Sequence, residues 1–203
     1  MSKLSLINPI ADYASFSELV NCPPELRKTA KDLTKDSKDS IEKAKILFEF
    51  VRDKIAHSFD IQNTKVTSRA SDVLKNGHGI CFAKSHLLAA LCRSVEIPAG
   101  LCYQKLIFDD QMVERFFTLH GFNAVYLAPL KRWVRLDARG NKLGVTAEFD
   151  LEKEKLAFPT RVELGEADYP TIFSQPHPSI VQSLTQLNHW DFGQINRQLP
   201  ENL

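Results

Sequence analysis

No apolar stretch in this sequence approaches the roughly 20 residues needed to cross a bilayer. The N-terminal MSKLSLINPIADYASF also lacks a continuous apolar core followed by a small-residue cleavage site. Together these absences predict a cytoplasmic protein. Cysteine is scarce: Cys22, Cys81, Cys92 and Cys102 are the only four in 203 residues, and none forms a CxxC pair. A disulfide scaffold is therefore excluded and free thiols are expected. Neither sign of charge dominates, with 26 Lys and Arg against 25 Asp and Glu, so no global field draws the chain to nucleic acid or to an anionic membrane. Repeats and low-complexity tracts are missing too. No D-x-[DN]-x-[DN]-G loop occurs, and DLEKEK near residue 150 alternates charge without offering calcium a cage of oxygens.

What is present reads as a packed globular protein, with 43% hydrophobic and 25% charged residues. No composition shift marks a boundary, so residues 1–203 are expected to form a single domain. The first third is helical in pattern. PPELRKTAKDLT begins with prolines suited to a first turn. Ser40 precedes IEKAKILFEFVRDKIAH, in which Ile41, Ala44, Leu47, Phe48, Val51 and Ile55 share one face. KDLTKDSKDS between them is an exposed connection, NTKVTS a polar loop, and SRASDVLKN a further helical turn.

The stretch NGHGICFAKSHLLAALCRSVEIPAG then sets a thiol between a glycine turn and an apolar run. Ala83, Leu87, Leu91 and Val95 recur every fourth residue, Leu88 and Cys92 broaden the stripe, and Lys84, Arg93 and Glu96 interrupt it. Pro98 stops it. Cys81 would open this helix, where unsatisfied N–H groups and the helix dipole favour thiolate over thiol. The alternative is a small buried residue in a glycine turn.

Strands follow. AGLCYQKLIF has strand composition, DDQMVER a turn's polarity, and FFTLHGFNAVYL with KRWVRLDA reads as a hairpin. If the turn is Leu127-Ala128-Pro129-Leu130, His120 lies directly opposite Asp137, with Cβ atoms about 5 Å apart. The carboxylate would take the imidazole Nδ1–H and leave Nε2 facing a thiol. A one-residue slip would put the two side chains on opposite faces. Beyond Gly140 the expectation is a loop, one strand, a proline-rich segment and a terminal helix in SIVQSLTQLNHW. Helices first and strands later make the fold class α+β with an antiparallel sheet.

GHGICFAKSHLLAALCRSVEIPAG, LHGFNAVYL and RWVRLDARGN, spanning about residues 70 to 141 in this order, resemble the transglutaminase-like superfamily, a papain-like cysteine fold. The upstream FEFVRDKIAHSFD is similar to the family's helix before the core, which extends the motif core to about residues 40–141 and leaves 142–203 as an extension without a readable role. The resemblance implies N-terminal helices and a catalytic helix packed on the sheet. It also implies Cys81 as nucleophile, His120 as base and acid, and Asp137 as the orienting group. One departure is HGF, where many relatives carry H-A-W, so that Phe122 stands for a Trp and offers no indole donor.

The function expected is cysteine-dependent acyl transfer at an amide through a thioester, on a peptide or protein substrate, resolved by water. The alternatives are glutamine cross-linking by amine transfer, and a non-catalytic binding module that keeps the fold. No cofactor, metal, nucleic acid or membrane is expected to take part. Zinc on His78, Cys81, His86 and His120 is a minor reading, because the spacing matches no recognised paired-ligand pattern. For the oxyanion, the Cys81 N–H is the natural first donor. The second is open among Asn76, Gln104, Tyr103 and Asn123, each with a structural role ahead of it. His57 is expected to end a helix or, as the lesser reading, to belong to the cleft, and Cys92 and Cys102 to sit in the core.

Overall fold

The computed structural model describes residues 4–108 and 116–203. DDQMVER, read above as a turn, lies outside the described residues. In chain order the elements are β1 (Ser5–Leu6), α1 (Pro24–Thr34), α2 (Ser40–Lys54), β2 (Ala56–His57), α3 (Ala70–Asn76), β3 (His78–Gly79), α4 (Cys81–Ser94), β4 (Ala99–Ile107), β5 (Phe117–Leu127), β6 (Arg132–Leu136), β7 (Ala167–Asp168), β8 (Thr171–Ile172), α5 (Pro178–Thr185) and α6 (Ile195–Gln198). The fold is α+β, with helices preceding a four-stranded antiparallel sheet of order β6-β5-β4-β7.

The local signals act as their chemistry requires. Proline opens α1, and the Asp39 carboxylate caps α2 by accepting from the N–H groups of Ile41 and Glu42, each at 2.9 Å. The periodic pattern carried the expected second helix on to His57, but α2 stops at Lys54. Ile55 turns extended, and the Ala56 N–H donates to the Gly77 carbonyl at 2.9 Å and the Ser58 N–H to that of Gly79 at 3.1 Å. These long-range bonds to the turn before Cys81 outcompete another helical turn. Gly77, at φ 71°, closes α3 in the left-handed conformation that glycine adopts without strain.

Helix α4 departs from its amphipathic pattern, for every residue from Phe82 to Ser94 is buried. It packs against α1, α2 and α3 as well as against β4 and β5. The polar interruptions are satisfied inside: Lys84 Nζ donates to the Ile55 carbonyl, and the Arg93 guanidinium donates to the carbonyls of Ala99, Ser15 and Ser174. Burial pushes Lys84 down to about 7 and Arg93 to about 10. The leucines Leu87, Leu88 and Leu91 are fully buried, each stabilising the position of the helix by about 1.5–3 kcal/mol.

On the sheet, Leu119, Val125 and Leu127 of β5 join the core built around α4. Phe122 and Ala124, of the opposite parity, pack with Tyr13, Cys102 and Ile172 on the other face. The hairpin register differs from expectation by two residues. The connection takes Ala128 to Lys131, a 3-10 turn closed by Lys131 at φ 51°, so that Leu127 pairs with Arg132 and Asn123 with Leu136. A two-residue shift preserves the face of every side chain, as a one-residue slip would not.

The C-terminal segment is better built than its sequence suggests. Parallel pairing joins β8 to β1, and β7 forms the edge of the main sheet beside β4. The helix expected over SIVQSLTQLNHW ends at Thr185, because the chain beyond it is drawn into bonds with the 64–66 loop: Val66 N–H to Asn188 carbonyl at 2.9 Å and Trp190 N–H to Thr64 carbonyl at 2.6 Å.

Candidate active site

Three segments meet at the N-terminal end of α4. The α3–β3 turn delivers Cys81 to the first position of the helix, half-exposed, where N–H groups lack intrahelical acceptors. β5 carries His120, and Asp137 stands just past the end of β6. Both are almost fully buried. Continuing the observed register sets Asp137 opposite Phe122, so His120 is its diagonal neighbour on the same face and not its direct partner. The contact survives: His120 Nε2 lies 2.8 Å from Asp137 Oδ2. The ring is reversed from the expected orientation. Its Nε2 meets the carboxylate, which leaves Nδ1 as the ring nitrogen free for the thiol, and Cys81 stands close enough to favour the charged ring.

The electrostatics are those of an ion pair. Burial would lower the His120 pKa, but Asp137 and then Cys81 more than offset it, and the imidazole is pushed up to about 10. Burial would raise Asp137; the His120 charge and hydrogen bond, with the N–H groups of Ala157 at 3.0 Å and Arg139 at 3.1 Å, hold it below its ordinary value. Phe158 sets its ring edge-on to His120 at 5.0 Å between centroids. Two of the fixing groups, Ala157 and Phe158, thus come from the extension that carried no readable signal.

Gly121 explains how closely α4 approaches β5. A Cβ there would stand 2.5 Å from Phe82 Cδ1 and 3.3 Å from Phe82 Cα. Phe82 is 1% exposed and has little room to give. Gly121→Val is expected to lower stability by about 1–3 kcal/mol in urea unfolding. It should also slow alkylation of Cys81 by displacing the first turn of α4; a variant as stable and reactive as wild type would contradict this packing account.

These side chains open on a cavity of about 670 Å³. Its apolar wall includes Phe59, Leu106, Phe108 and Phe158. A charged wall is formed by Arg139 and Lys142, both bonded to Asp60, whose carboxyl they hold well below the usual range against the effect of burial.

The profile of the transglutaminase-like superfamily matches residues 27–138, more than half of the chain. The chain belongs to that superfamily. Comparison with curated proteins finds no match. Among solved structures, a candidate cysteine protease from Cytophaga hutchinsonii superposes with a TM-score of 0.51 at 21% identity, covering 64% of this chain and 42% of that one. A candidate protease from Parabacteroides distasonis gives 0.44 at 15% identity, covering 74% and 31%. A structure described as a TGase gives 0.43 at 15% identity, covering 81% and 43%. The chain thus spans less than half the length of each of these structures.

As a transglutaminase-like domain the molecule brings together Cys81, His120 and Asp137, sets Gln104 directly opposite His120 in the β4–β5 ladder, and holds the other candidates in structural contacts. Asn76 bonds Lys65 and the Asp72 carbonyl. Gln104 donates to Thr160 at 3.0 Å, Tyr103 accepts from the His177 N–H at 3.3 Å, and Asn123 donates to the carbonyls of Ser85 and Gly100. None of these four lines the cavity. His78 Nδ1 is 2.9 Å from Ser58 Oγ, and His86 Nδ1 is 2.9 Å from the Ser68 carbonyl; neither lines the cavity with Cys81 and His120. His57 fits the lesser of its two sequence readings, a place in the cleft. It lies in β2 and not at a helix end, lines the cavity beside Cys81 and His120, and is 9% exposed.

Proposed function

We propose that this domain performs cysteine-dependent acyl transfer at an amide bond, with Cys81 as nucleophile, His120 as proton donor to the leaving amine and Asp137 as the group that orients and charges the imidazole. The observation that carries the reading is the hydrogen-bonded His120–Asp137 pair reaching the same cavity as a cysteine at the start of a helix. An imidazole pushed up to about 10 holds its proton at neutral pH. In this reading His120 acts as imidazolium beside a thiolate. Sγ attacks the carbonyl carbon, the imidazolium protonates the departing amine, and water resolves the thioester with His120, now neutral, as base. The apolar cavity wall supports a peptide or protein substrate presenting an apolar side chain next to the amide.

The test is incubation with a glutamine-containing peptide library, with and without a primary amine, read by mass. Cleavage or deamidation is the expected outcome. Predominant amine incorporation at modest amine concentration would replace water by an amine as the acceptor, and no reaction with any amide would favour a binding module.

A further inference from the structure

The tetrahedral intermediate of acyl transfer needs donors aimed at the developing negative oxygen, and the helix start offers one, the Cys81 N–H. Among the polar side chains around the cavity, Arg139 and Lys142 are engaged by Asp60 and His120 by Asp137. His57 is different. Its Nδ1 is sealed from solvent and has no hydrogen-bond partner among the described residues. A bare buried acceptor is tolerated more readily than an orphaned N–H, which sets the proton of the neutral ring on Nε2, at the other edge of a ring that lines the cavity. Burial first, then the charge of Arg139, pushes the imidazole well below its ordinary value and keeps it neutral. Its position is fixed by the backbone, for His57 pairs with Gly79, two residues ahead of Cys81, in the parallel β2–β3 ladder. The turn that presents the Cys81 N–H therefore also anchors the imidazole.

We infer that His57 is the second oxyanion donor, its Nε2–H and the Cys81 N–H together holding the carbonyl oxygen of the bond under attack. The inference rests on the acyl-transfer reading and adds a catalytic residue to it. As the Sγ–C bond forms, the carbonyl π pair moves onto oxygen, which accepts both hydrogen bonds. As the intermediate collapses, that pair restores C=O, the bond to the leaving group breaks, and an amine departs with the proton of His120. His57 keeps its own proton throughout.

Two reactions of the same thiol separate this role from others. p-Nitrophenyl acetate acylates Cys81 through an oxyanion, whereas iodoacetamide alkylates it by displacement without one. His57→Met, of similar bulk but without an N–H, should lose about 10²- to 10³-fold in burst acylation with alkylation unchanged. His57→Gln, which restores an N–H, should recover about tenfold over Met. Equal ester acylation in wild type and His57→Met, or equal losses in Met and Gln, would overturn the donor role. On the unaltered protein, a leucine-derived peptide aldehyde forming a hemithioacetal with Cys81 should shift the His57 Nε2–H resonance, and an adduct without that shift would overturn it even where a variant fails to fold. Wild-type ester acylation no faster than that of Cys81→Ala would instead overturn the acyl-transfer reading and the donor with it.

Discussion

Cys81→Ala should abolish acyl transfer, with a loss of at least about 10³-fold in turnover, while its unfolding midpoint stays close to that of wild type. The two halves of this result have different causes. Among the described residues that line the cavity, none other supplies a nucleophile of comparable strength, so removing Sγ removes the covalent route. Stability is spared because Cys81 is only partly buried at a helix start, where deleting one sulfur leaves no closed void; the expected change is within about 1 kcal/mol. The other thiols behave oppositely. Burial pushes Cys92 up to about 12 and Cys102 higher still, both with no exposed surface to speak of, and it raises Cys22 as well. Brief, substoichiometric iodoacetamide should therefore label Cys81 first, read by peptide mapping. Label on another cysteine, or a Cys81→Ala protein that unfolds readily, would return Cys81 to the role of a core residue.

The sequence announced the parts of this site that rest on local chemistry. Glycine in the α3–β3 turn, an apolar run after Cys81 and the alternation of the hairpin are short-range signals, and each produced its element. Parity survived for a physical reason. The true hairpin loop is displaced by two residues, and side chains in a strand repeat with period two, so His120 and Asp137 kept a common face although their direct opposition was lost. What stayed hidden depends on long-range contacts. Lys84 and Arg93 read only as polar interruptions of the apolar run because no local pattern reveals carbonyls from residues 15, 55, 99 and 174 waiting for them. His57 read as a helix end because the pull of Gly77 and Gly79 on the chain after Lys54 has no local signature. The extension suffered most, since Ala157 acts through its backbone N–H, which any residue but proline could supply.

Asp137→Asn should retain the fold yet lower turnover by about 10²- to 10⁴-fold, and the defect should carry a pH signature. All three groups that meet the Asp137 carboxylate are N–H donors: the His120 ring, the Ala157 backbone and the Arg139 backbone. An amide has only one acceptor oxygen, so with that oxygen kept toward His120 and Ala157 its NH₂ faces the Arg139 N–H in a fully buried site. Breaking the pair and leaving a donor unsatisfied costs on the order of 3 kcal/mol. For His120, raised from 6.5 to about 10, the stability gained from Asp137 is complete below about pH 6.5 and is lost as pH rises toward 10. For Asp137, lowered from 3.8, the stability is present above about pH 4 and is lost as the carboxylate protonates at lower pH. The gap in unfolding free energy between wild type and variant should therefore be widest between about pH 4 and 6.5 and narrow on both sides. Catalysis shifts with it. Burial opposes the charge on His120, so without the carboxylate the imidazolium deprotonates earlier and the alkaline limb of kcat/KM moves to lower pH. Urea unfolding and ester acylation across the same pH series measure both effects. A variant with a constant stability gap and an unmoved alkaline limb would show that the carboxylate orients His120 without charging it.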